Sequence, residues 1–144
     1  MTENRTETTA RLLELERDEC FELLAGSVLG RLAVSPPGWT GAPVICPVSY
    51  VFDRSRQAVV FRSARGSKMT ALLLSREAAF EVDGVDPELE TGWSVIARGP
   101  VEEITTEAEI DRARQLGLRS WAPGDEPHWM RIRASTVTGR RISL

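Results

Sequence analysis

The chain is poor in the residues that most enzymes use as acids, bases and metal ligands. It contains one histidine, His128, and two cysteines, Cys20 and Cys46, without CxxC spacing. A zinc site would have to gather ligands from scattered positions, so no metal site is expected and a disulfide framework has too few partners. Cys20 falls on a predicted helix and Cys46 in an apolar run, and both are expected to pack as small, reduced hydrophobes. Nucleophile elbow, Walker loop and dinucleotide fingerprint are all missing. So are an apolar run of membrane-spanning length and an apolar leader at the polar N-terminus, which sets the expectation of a soluble, cytoplasmic protein with no membrane partner. The net charge of −3 lacks the basic surplus that nucleic-acid binding requires. No side chain is singled out as catalytic; chemistry here has to be carried by a bound cofactor.

What the chain has is enough apolar sequence for one core: 144 residues, of which 42% are hydrophobic. Residues 1–14 read as a flexible, polar lead and residues 15–144 as a single domain. A short amphipathic helix is predicted over 15–25, stopped by Gly26. Strands are predicted over 28–34, 43–52, 58–63, 78–82 and 93–104, with an acidic loop over 83–92. Residues 53–56 read as a hairpin connection, and Gly99-Pro100 as a kink of the barrel type. Thr106 and Glu109 have capping-box spacing and open a helix to about residue 118, after which 128–144 supply one or two closing strands. Six or seven strands with hairpin-length links and three short helices predict a mainly β, antiparallel barrel with peripheral helices.

The most informative stretch is residues 61–68, Phe-Arg-Ser-Ala-Arg-Gly-Ser-Lys. An apolar strand feeds into it and a predicted helix, 67–75, leaves it. Arg62, Arg65 and Lys68 supply charge, Ser63 and Ser67 hydroxyls, and the helix start free N–H groups, which is the environment a phosphate needs. A solvated turn has the same composition when taken alone.

The order of these motifs, over about residues 15–144, resembles the FMN-binding split-barrel superfamily, the pyridoxamine 5′-phosphate oxidase-like proteins and their small bacterial members in particular. The resemblance implies a split β-barrel that holds FMN noncovalently. It implies that Ile45, Cys46, Pro47, Val48, Ser49 and Tyr50 line the flavin with backbone groups and that Arg62, Ser63, Ser67 and Lys68 hold its phosphate. It further places Ser94, five residues before Gly99, against the flavin, and brings Trp129 and Arg131 from the C-terminal strands, commonly across a dimer interface. A homodimer is therefore expected, its partner covering part of the aromatic surface supplied by four tryptophans. The vitamin B6 oxidases carry a histidine in the C-terminal segment, whereas residues 137–144 have none, so the resemblance does not extend to oxidation of pyridoxamine phosphate itself.

Three functions compete on this fold. The first is a flavin-dependent oxidoreductase acting on a small-molecule substrate. The second takes a deazaflavin coenzyme instead, whose longer acidic tail would draw on extra cations such as Arg31 and Arg65. The third is a noncatalytic flavin- or haem-binding module, for which only His128, the single tyrosine, the cysteines or a methionine offer an axial ligand.

Overall fold

The computed structural model describes residues 10–35, 38, 40–63, 77–118 and 128–143. Eight strands and two helices fall within them: β1 (Arg11–Glu14), α1 (Arg17–Ala25), β2 (Leu29–Val34), β3 (Val44–Asp53), β4 (Ala58–Ser63), β5 (Glu77–Asp86), β6 (Thr91–Ile104), α2 (Glu107–Arg114), β7 (His128–Arg133) and β8 (Thr136–Ser143). All pairings are antiparallel. The order β6-β5-β2-β3-β4-β7 closes on itself through β6–β7, giving a six-stranded barrel, and β8 and β1 extend the sheet outward from β6. The protein is thus a mainly β split barrel, as its sequence predicts.

Alternation along the strands selects the core. Leu32, Val34, Tyr50, Phe52, Val59, Phe61, Phe80, Val82, Val95, Met130 and Ile132 point inward and pack together. Gly30 leaves room there for the Phe80 ring, since a Cβ at that position would lie 2.2 Å from the ring tip. A second, smaller cluster lies outside the barrel, where Val60, Ile104, Ala113 and Trp129 pack under α2. β4 runs between the two clusters, so its first four residues are all buried and its sequence is an unbroken apolar run.

β6 is long enough to serve two partners on one edge, β8 along residues 91–98 and β7 along 101–104. The partner strand breaks between β7 and β8, and its Arg133 carbonyl backs into Gly99. A Cβ on Gly99 would sit 1.7 Å from that oxygen, so the kink read from Gly99-Pro100 is a place where only glycine fits.

Three expectations shift. Residues 11–14, read as the end of a polar lead, form β1 against β8. The acidic segment 83–92 is a hairpin: β5 continues to Asp86 and β6 begins at Thr91. The Asp86 carboxylate accepts from the N–H groups of Glu88 and Leu89 at 3.1 and 3.2 Å, closing the turn. α2 ends at Arg114, short of residue 118. The helix expected over 67–75 and the loop over 121–124 lie outside the described residues. No described helix is long and apolar enough to cross a membrane.

Candidate functional site

The site is built around a strand that changes partner midway. β3 pairs with β2 through residues 44–49 and with β4 only through residues 50–53. The Tyr50 N–H donates to the Val28 carbonyl at 3.1 Å, so even-numbered residues of β3 aim their backbone groups at β2. The β2–β3 register is unbroken, hence Ile45, Pro47 and Ser49 aim theirs at the opposite edge, where no strand lies among the described residues. That edge offers the N–H groups of Ile45 and Ser49 and three carbonyls. Pro47 sits on this edge, where its missing N–H costs no ladder bond. The expected backbone lining by residues 45–50 thereby narrows to the odd-numbered members, with Cys46, Val48 and Tyr50 turned toward β2.

Tyr50 is a structural anchor. Its ring packs edge-on to Phe80 with centroids 4.6 Å apart, and its hydroxyl donates to the Leu24 carbonyl, tying α1 to the barrel. Burial pushes the phenol up to about 12, with the Ser27 hydroxyl pulling the other way. Burial likewise raises the thiol of Cys20, whereas Cys46 is half-buried.

Arg62 and Ser63 end β4, opposite Trp129 and His128 of β7. Arg62 shares the outer face of the barrel with Val60 and Trp129, and its guanidinium carbon lies 5.2 Å from the Trp129 ring centroid. Its Nε is buried with no hydrogen-bond partner among the described residues, and no acidic side chain there pairs with it. A cation placed over an aromatic ring, with an orphan donor and no carboxylate among the described residues, has capacity left for an external anion. Ser63 beside it is buried. The β3–β4 ladder ends at Tyr50 and Phe61, so the free edge of β3, from Ser49 backwards, and Arg62 each follow directly on its last pair.

Other candidates stand elsewhere. Ser67 and Lys68, and Arg65 with them, lie outside the described residues. Ser94 is paired between Asp83 of β5 and Arg140 of β8, three strands from β3, or roughly 14 Å at the usual strand spacing. Arg131 donates from Nε to Glu102 at 2.9 Å and from Nη1 to Glu109 at 3.3 Å, which commits it within its own chain. Arg31, considered as a cation for an acidic coenzyme tail, is held by Glu81 and Asp83, each at 3.3 Å. A pair not anticipated from sequence is His128 with Glu103, joined through Nδ1 beside Ser63; both lie on β7 and β6, whose pairing the sequence does not reveal. Among the described residues no cluster of His, Cys, Asp and Glu is arranged to hold a metal ion.

Comparison with known proteins agrees with this architecture. A solved FAD-binding protein from Mycobacterium smegmatis is 31% identical, superposes with a TM-score of 0.80, and is matched over 92% of this chain and 99% of its own. A conserved protein of unknown function from Corynebacterium diphtheriae is 30% identical with a TM-score of 0.74, over 90% of this chain and 96% of that one. The uncharacterized protein Rv0080 of Mycobacterium tuberculosis is 29% identical across 94% of this chain and 89% of its length. The family profile described as Pyridoxamine 5′-phosphate oxidase matches residues 16–141, and with the split barrel it defines the chain as a member of the pyridoxamine 5′-phosphate oxidase-like family.

Proposed function

We propose that the protein is a flavin-dependent oxidoreductase that binds an FMN moiety noncovalently at the junction of β3 and β4. The observation that carries this reading is Arg62: a buried, unpartnered donor on a cation laid over Trp129, next to an unpaired strand edge. The chemistry of these donors fits the group. A guanidinium and the Ser63 hydroxyl suit a phosphate, and the alternating N–H and C=O groups of Ile45, Pro47 and Ser49 suit a heterocycle with its own donors and acceptors. The flavin-binding name of the similar Mycobacterium smegmatis protein supports a flavin here as well.

A bound flavin supplies hydride transfer. The chain's residues hold and tune it. Arg62, steadied by Trp129, neutralises the phosphate, and the fixed N–H groups of Ile45 and Ser49 favour negative charge that develops nearby. Lys68 and Ser67, which follow β4 in sequence, are assigned to the same phosphate. The reading needs no protein acid or base, in keeping with the single histidine. Arg31 being engaged by two carboxylates speaks against the deazaflavin alternative.

The working form is proposed to be a homodimer. Leu29 and Ile45, on the outer face beside the free edge, are 52% and 67% exposed, and a second copy would cover them. A monomer by sedimentation at micromolar concentration, with flavin still bound, would reject this.

Replacing Arg62 by Ala removes a charge-assisted hydrogen bond worth about 1.5–3 kcal/mol, so FMN affinity should fall roughly tenfold to a hundredfold. Riboflavin lacks the phosphate and should bind almost unchanged. Titration of both flavins decides: equal weakening of the two would remove the phosphate role.

A further inference from the structure

A cavity of about 240 Å³ opens on the outer face of the barrel at the start of β4, against Arg56, Ala58, Arg131 and Arg133. Among the described residues of its lining, three are arginines and none is acidic. Local structure brings them together. Ala58 pairs with Arg133 and Val60 with Arg131, and directly opposed residues share a face, so both β7 arginines project beside the buried Ala58. The Ala134 N–H donates to the Gln57 carbonyl at 2.9 Å, which holds the β3–β4 turn against the end of β7. Within that turn the Asp53 carboxylate accepts from the Arg56 N–H at 3.3 Å and fixes the backbone that carries the third guanidinium.

The counter-charges are too few. Arg56 meets Glu109 at 2.9 Å, Arg131 meets Glu109 at 3.3 Å and Glu102 at 2.9 Å, and Arg133 meets Glu102 at 3.2 Å. Among the described residues, cations and carboxylates thus alternate along a chain that begins and ends on an arginine, with three positive charges against two negative. The terminal members keep donors free. Arg133 reaches its carboxylate through Nε and Arg56 through one Nη, and a guanidinium has five N–H donors. We infer that the cavity is a binding site for the carboxylate of a small organic acid, which takes the free donors of Arg56 and Arg133 and turns the open chain into a ring of arginines and carboxylates. One further carboxylate balances the charge, and its planar fork suits a guanidinium as those of Glu102 and Glu109 do. A phosphate monoester carries about −1.5 to −2 at neutral pH and would overshoot the balance. The volume lies below the usual range for drug-sized ligands, which keeps the acid small. Ala58 and Arg62 stand four residues apart on β4, roughly 13 Å, so this site is separate from the cation assigned to the flavin phosphate and does not depend on that reading.

The test is a titration of propionate into the ¹⁵N-labelled full chain, followed by NMR, with chloride and inorganic phosphate as parallel arms at matched ionic strength. Saturable shifts are expected at the amides of Arg56, Ala58 and Arg133 with propionate, and weaker binding with phosphate. Arg133→Gln and Arg56→Gln should each weaken propionate about tenfold or more, the scale of one charge-assisted hydrogen bond. Both variants should fold, because Glu102 and Glu109 each keep Arg131 when a terminal arginine is lost. Arg62→Ala should leave propionate binding within about twofold of wild type, under 0.5 kcal/mol. The wild-type titration needs no variant and can reject the site alone: shifts that follow ionic strength, equal to those with chloride, overturn it. Phosphate binding as tightly as propionate overturns the choice of a carboxylate. Propionate affinity that both glutamine variants leave unchanged, or that falls tenfold in Arg62→Ala, overturns the location.

Discussion

Arg62 and Arg112 share an unusual feature: each has a buried Nε that no described residue satisfies. They differ in what the rest of the guanidinium meets. Arg112, on α2, reaches both carboxylate oxygens of Asp53 at 2.9 and 2.8 Å and also donates to the Ser55 hydroxyl. Asp53 in turn accepts from Ser55 at 2.9 Å and from the Arg56 N–H at 3.3 Å, which caps the β3–β4 turn. Arg62, at the other end of β4, lies over the Trp129 ring and meets no carboxylate among the described residues. The first cation closes a hairpin and pins a helix to it; the second has no counter-charge among the described residues. The contrast lies in what each guanidinium meets. It comes from whether the fold supplies a carboxylate, and that separates a cation that builds the structure from one available to a ligand.

The sharpest test of the contrast is Arg112→Met. Breaking a buried pair costs about 3–5 kcal/mol when one charge is left uncompensated, but the Arg112 side chain is 37% exposed and solvent screens part of that loss. A loss of about 2 kcal/mol in urea denaturation is expected, against less than about 0.5 kcal/mol for Arg62→Ala, where removing the unsatisfied buried Nε offsets the lost contact with Trp129. Acid behaviour should change too. Burial alone would raise the Asp53 carboxyl, but the bonds from Ser55, Arg112 and Arg56 outweigh it and hold the group below its ordinary value of 3.8. A carboxylate lowered in the folded state adds stability above the unfolded value and loses it as pH falls through the folded one. Wild type should therefore weaken below about pH 4, and Arg112→Met should show a shallower acid limb. An unchanged urea midpoint would mean that Arg112 is as dispensable to the fold as Arg62.

How much of this was legible in sequence follows from the range over which each feature is decided. The unbroken run Ala58-Val59-Val60-Phe61 announced a strand, and the Thr106–Glu109 spacing announced the start of α2, where the Thr106 hydroxyl accepts from the Glu109 N–H at 3.3 Å. Those are local signals. β1 was missed because all four of its residues are exposed and its pairing depends on β8, more than a hundred residues away. Asp83 and Asp86 suggested a loop because a solvated strand face tolerates acids that local pattern assigns to turns. The phosphate motif singles out Arg62, and the resemblance adds Arg131 from the C-terminal strands. Only strand register distinguishes them: β6 against β7 brings Glu102 opposite Arg131, and β4 against β7 sets Arg62 opposite Trp129.

Trp129 should sharpen the comparison from the ligand's side. If it steadies Arg62, removing the aromatic face costs the cation–π term, about 0.5–1.4 kcal/mol, and FMN affinity falls roughly two- to tenfold. Trp129→Leu and Trp129→Phe both lighten the cluster under α2, so both are expected to lower thermal stability. Only the leucine variant should weaken FMN, with riboflavin unaffected in either. Equal FMN affinities for the two variants would reduce Trp129 to packing alone.

The smallest effect is expected at Arg131, and it is the one most able to break the contrast. Arg131 sits two residues from Trp129 on the same face, and its side chain is largely buried against Glu102 and Glu109. By the argument made for Arg112 it belongs to the structure, though more weakly. Glu102 keeps Arg133 at 3.2 Å and Glu109 keeps Arg56 at 2.9 Å when Arg131 is replaced, so neither carboxylate is stranded. Arg131→Gln should accordingly cost only about 1 kcal/mol of stability, the scale of an ion pair whose partners find other counter-charges. Its FMN affinity should stay within about twofold of wild type, under 0.5 kcal/mol. Measured beside Arg62→Ala under the same conditions, the two variants should move opposite quantities, stability for one and phosphate affinity for the other. A tenfold loss of FMN binding in Arg131→Gln, with riboflavin unchanged, would show that an arginine already paired with two carboxylates still serves the phosphate. The internal counter-charge would then no longer separate structural cations from ligand-binding ones in this barrel.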